Sequence, residues 1–117
     1  MKNSLNDRDQ VVAKARLLAQ DGSFLTILKR RVAYKTSSQD DPTSPAMDAY
    51  LRDEMWPYLQ AMGFVCGIYP NPINGAGPFL IAERFETDAR LTVLSYGHAD
   101  VIRGQDDRWH RSEEHTS

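Results

Sequence analysis

Cysteine, long apolar runs and any excess of charge are what this chain has least of. One cysteine, Cys66, among 117 residues cannot close an internal disulfide, so nothing argues for an oxidising, secreted setting. The first ten residues are polar and charged, without the apolar centre of a signal peptide. No window approaches the ~20 apolar residues of a membrane span. A net charge of -2 leaves no basic footprint for nucleic acid or an anionic membrane. Internal repeats are absent as well. A soluble, cytoplasmic protein is expected, with no nucleic-acid or membrane partner.

What is present is ordinary for a folded domain. Hydrophobic residues make up 41% and charged residues 26%, close to globular averages and far from those of disordered chains. The length suits one domain, short for a complete α/β hydrolase.

Residues 6–21 carry a helical period, with Val11, Val12, Ala15, Leu18 and Ala19 on one stripe. Asn6 or Asp7 can cap its start, and Gly22 can end it with positive φ. Ser23 is expected to cap a second helix with a broad apolar face of Phe24, Leu25, Ile27, Leu28 and Val32. Lys29, Arg30 and Arg31 sit where cations meet the helix dipole favourably; a solvated helix end explains them more simply than a phosphate site. Residues 35–44 form a polar loop. Ser44 followed by Pro45 signals a third helix over 45–62, with Met47, Leu51, Met55, Leu59 and Met62 on its buried face. Its methionines read as core packing rather than a partner groove. Pro57 predicts a kink and Gly63 the stop.

The period then changes. Strands are predicted over 64–69, 79–85 and 91–96, the last two as an antiparallel hairpin. Residues 91–96 are apolar on both faces, which predicts a sheet covered on both sides. Gly75 and Gly77 lie in a loop and are not a phosphate cradle, because no helix or P-loop lysine follows. The fold class is α/β: amino-terminal helices followed by strands of a mixed sheet.

The chemistry gathers where the last strand runs out, at Gly97, His98, Ala99, Asp100 and Val101. In an extended backbone, positions i and i+2 share a side, so His98 and Asp100 can converge while Ala99 points away. A metal-binding histidine usually donates its other N–H to a carboxylate or carbonyl, which fixes the tautomer. Asp100 is a candidate for that second role, and Gly97 permits close approach. By itself the His-x-Asp pattern is weak evidence for a metal, and a structural histidine at a strand end explains it better.

The stretch from Thr92 to Val101 resembles the first metal motif of the M20 family of metallopeptidases, which includes dipeptidases, aminoacylases and acetylornithine deacetylase-like deacylases. The leading helices, the turn over 32–40, the helix ending at Ala61, Met62, Gly63 and Phe64, and the loop over 103–109 also match that family's opening. The resemblance implies a truncated part of a zinc-exopeptidase-like catalytic domain. It implies that His98 ligates one of two zinc ions, with cobalt or manganese as possible substitutes, and that Asp100 is the catalytic-site aspartate that orients it. Such paired metals polarise an amide carbonyl and acidify a water, with a glutamate as general base. The substrate class implied is a small peptide or an N-acyl amino acid. The bridging aspartate, the paired glutamates, a further carboxylate and a last histidine would all follow residue 117, so this chain alone is expected to be inactive. Many members of the family homodimerise through a later lid domain, so the resemblance leaves a homodimer open only for the full-length protein.

Asp106 and Asp107 read as a polar loop, and His110 as no ligand. Residues 111–117 are unpatterned and resemble the translation of a sequencing adapter. Residues 1–110 are therefore expected to be the catalytic-domain part and 111–117 a non-native tail, with His115 no ligand. The competing reading is a small non-catalytic α/β binding or interaction module in which His98 is structural.

Overall fold

The Asn6 side chain opens the first helix by accepting from Asp9 N–H at 2.9 Å, which satisfies one of the four amides a helix start leaves unpaired. In the computed structural model, which describes residues 6–88 and 90–108, this helix, α1, runs Asp7–Gln20. Gly22 then takes φ of +84° with open space around it, and α2 spans Ser23–Val32. The expected Ser23 cap is displaced by one residue. Gly22 holds the cap position without a side-chain bond, and Ser23 N–H instead donates to Asp21 Oδ1 at 2.8 Å. The two helices contact each other and form a unit that extends to Tyr34. Its described residues include no fully buried side chain; Phe24, Leu25 and Val32 are exposed.

A second compact unit starts at Lys35. Ser44 caps α3, Pro45–Ala49, by accepting from Ala46 N–H, and Pro45 takes the first helical position, as the sequence predicts. The helix continues as a π-helical segment, Tyr50–Met55, and then as α4, Trp56–Ala61. Pro57 explains the wide turn. It lacks an N–H and its ring crowds the preceding carbonyls, and the Trp56 amide bonds to Leu51 O instead of the usual i−4 oxygen. The expected kink is taken up as this π segment. Leu51 and Glu54 are the buried residues here, whereas Met62, expected inside, is exposed. At the helix end Gly63 adopts φ of +90°. Its N–H bonds Gln60 O and Phe64 N–H bonds Leu59 O, a Schellman closure.

Strand β1, Val65–Tyr69, pairs antiparallel with β2, Phe79–Glu83, in the register Val65↔Glu83 to Tyr69↔Phe79. The connection turns on Asn71, which accepts from Ile73 N–H and donates to Gly77 O. Helix α4 packs on β1.

The predicted third strand is not formed. Residues 91–96 have no regular structure, so the expected hairpin of β2 with that stretch is replaced by the β1–β2 hairpin. Just after β2, Arg84 donates to Met62 O at 3.0 Å and pairs with Glu86 at 2.6 Å. With no neighbouring strand, nothing covers either face: Leu91 is 85% and Leu94 is 94% exposed. The two-sided burial expected of this stretch is likewise not observed. No helix among the described residues is long and apolar enough to cross a membrane. The loop expected over 103–109 contains a short 3-10 turn at Asp106–Arg108. Trp109, His110 and the segment 111–117 lie outside the described residues.

Candidate metal centre

Two segments more than sixty residues apart in sequence meet at the predicted motif. Thr36 O accepts Val101 N–H at 3.0 Å, and Ser37 and Val101 form an isolated parallel bridge. One step further, Arg103 N–H donates to Gln39 Oε1 at 2.9 Å, Arg103 Nε to Asp40 Oδ1 at 2.6 Å, and Arg103 Nη2 to Gln39 O. Residues 36–40 are thereby stitched to 100–103 by backbone and side-chain bonds. Thr36 is buried at this seam. The turn keeps its own shape through Asp40 N–H and Asp41 N–H, both bonded to Ser37 O.

His98 and Asp100 sit at the mouth of the seam. His98 Nδ1 is 2.9 Å from the backbone oxygen of Asp100 and 3.1 Å from Asp100 Oδ1. Both neighbours are acceptors, so in the neutral ring Nδ1 carries the proton and Nε2 has the lone pair. The convergence expected from the i, i+2 spacing is what the structure displays. The imidazole is 73% and the Asp100 side chain 38% exposed, so solvent reaches the ring.

The other Asp100 oxygen, Oδ2, accepts from Ser38 Oγ at 2.5 Å. That hydroxyl bond, foremost, together with Asp100's own amide and the nearby His98, holds the Asp100 carboxyl below the usual carboxylate range, and its slight burial opposes the shift. Asp100 is therefore an ionised acceptor at neutral pH, the form that fixes a histidine tautomer.

The donor set can be compared with what zinc requires. A stable zinc site takes three or four protein ligands. Among the described residues no group of three or more His, Cys, Asp or Glu side chains is placed to hold a metal ion. His98 provides one nitrogen donor of the right tautomer, and the chain's described residues do not complete a site around it. Asp107 lies in the 3-10 turn and is exposed.

Ser38, Gln39, Asp40 and Arg103 are the residues that sequence reasoning did not assign to this site. The turn over 32–40 is legible as a loop, but a single sequence carries no signal that a serine should meet an aspartate 62 positions away. No protein-family model matches this chain, and no curated protein or solved structure shows significant similarity to it.

Proposed function

We propose that this chain is the amino-terminal part of a dizinc hydrolase of the M20 type, which cleaves amide bonds of small peptides or N-acyl amino acids. His98 is a zinc ligand in this reading, and Asp100 is the carboxylate that orients it. The observation that carries the reading is the placement of His98: Nδ1 faces the Asp100 backbone and carboxylate oxygens, which directs the neutral ring's lone pair to Nε2, and the ring is open to solvent. A ligand histidine needs that combination. A histidine serving only to hold a core is ordinarily buried among its partners, which weighs against the binding-module alternative.

The remaining metal ligands and the general base come, in this reading, from chain beyond these residues, and the 117-residue chain is inactive alone. The bare apolar stretch over 91–96 supports it, since a run apolar on both faces suits the interior of a larger sheet. Zinc, when bound, supplies Lewis acidity and an acidified water. The part played by the residues described here is narrower: to present one imidazole on an extended segment braced against residues 36–40.

The test is hydrolysis by the longer protein that contains this chain. Dipeptides and N-acyl amino acids are compared as substrates, with and without a chelator. Chelator-sensitive cleavage of either class is expected, lowered by 10- to 100-fold or about that in Asp100→Asn and further in His98→Ala. Unchanged turnover in His98→Ala would contradict the assignment. A downstream reading frame with Asp, paired Glu and His ligands supports the enzyme; a natural stop after His110 supports the module.

A further inference from the structure

The motif around His98 brings its own carboxylate, but the structure shows that this carboxylate is itself held. Asp100 has two oxygens with different partners: Oδ1 lies beside His98 Nδ1 and Oδ2 accepts from Ser38. We propose that Ser38 is a positioning residue for His98, acting through Asp100 to fix which ring nitrogen carries the proton. This rests on the reading of His98 as a ligand for its purpose, though its geometry stands without a metal.

Rotational freedom is what the Ser38 hydroxyl removes. A carboxylate on a short side chain turns readily about its last bond, and an exposed one samples several orientations. A hydroxyl donor fixed on one oxygen leaves the other facing the imidazole. Ser38 is itself well placed to do this, because the residues on both sides of it are tied down. Thr36 and Ser37 are joined to Val101, and Gln39 and Asp40 are joined to Arg103. The serine therefore sits inside a brace rather than on a free loop. The Asp100 backbone oxygen also accepts from Nδ1, so removing the hydroxyl should weaken the Nδ1–H preference, not erase it.

The probe is the ring-nitrogen spectrum of His98 in the full 117-residue chain, free of metal, at a pH of about 8.5, where histidine is neutral. His98→Asn assigns the resonances. In Ser38→Ala the ratio of Nδ1–H to Nε2–H is expected to fall by roughly threefold, within the span that an exposed pairing supplies. Ser38→Cys keeps the side chain's shape but offers only a weak donor, so it should fall similarly and guards against loss of fold in the alanine variant. Ser38→Thr retains the hydroxyl and should restore the ratio. A serine that merely packed would leave the tautomer of an exposed ring unmoved. An unchanged ratio in both Ser38→Ala and Ser38→Cys overturns the proposal, as does a threonine variant that behaves like alanine. Because no metal takes part, the outcome is separable from the zinc reading. A tautomer shift with no zinc bound by the longer protein leaves Ser38's role standing and removes the metal.

Discussion

Asp100 is the residue on which most of the local chemistry converges, and its ionisation links the site to pH. Its carboxyl titrates below the ordinary carboxylate range in the folded chain, first because of the Ser38 hydroxyl. A lowered folded-state value means that the ionised form stabilises the fold. That contribution is complete above the unfolded value, about 3.9, and is lost as pH falls through the lower folded value. Exposure of the side chain keeps the effect small. Asp21 and Asp48 are lowered too, by Ser23 and by Arg52 respectively, so acid sensitivity as such is not diagnostic. The difference between wild type and Asp100→Asn isolates the residue. Urea unfolding at neutral pH should find the wild type more stable, and the gap should narrow as the pH drops below about 4. A gap that stays constant down to pH 2 would mean that ionisation of Asp100 contributes nothing to folding.

At the scale of elements, helices were legible where local chemistry decides them. Asn6, Ser44, Pro45, Gly22 and Gly63 act within a few residues of themselves, and each marks a boundary that the structure respects. Pro57 was legible as a disturbance, but not its form, since whether a helix kinks or widens depends on what packs along it. Glu54 shows the same limit: its side chain is buried although the predicted buried face does not include it. Strand pairing was the least legible. β-propensity identifies residues 91–96 as strand-like but says nothing of a partner, and in the structure β1 and β2 pair with each other instead. Half of the site was legible in the same sense. The i, i+2 geometry of His98 and Asp100 is local, whereas Ser38 and the Arg103 brace come from a distant turn. Hydrogen exchange checks the pairing directly. Amides over 91–96 should exchange at near free-peptide rates, while those in the Val65–Tyr69 ladder are slowed. Strong protection over 91–96 would show that this segment is paired after all.

The molecule as a whole buries little. Leu51 is the buried hydrophobic residue among those described, and large apolar side chains in both units face water. Apolar burial is the principal favourable contribution to folding, so the isolated chain should unfold over a broad temperature range and bind hydrophobic dyes before heating. A sharp, reversible transition of a monomer would contradict that expectation. In the proposed reading, His98 supplies one donor where zinc takes three or four, so metal binding is the sharper test. Bound zinc, counted by elemental analysis of the longer protein proposed to contain this chain, therefore tests the assignment of His98 most directly. Two zinc ions per chain are expected in the wild type and no more than one in His98→Ala; two retained in His98→Ala, or none in the wild type, would show that His98 is not a zinc ligand.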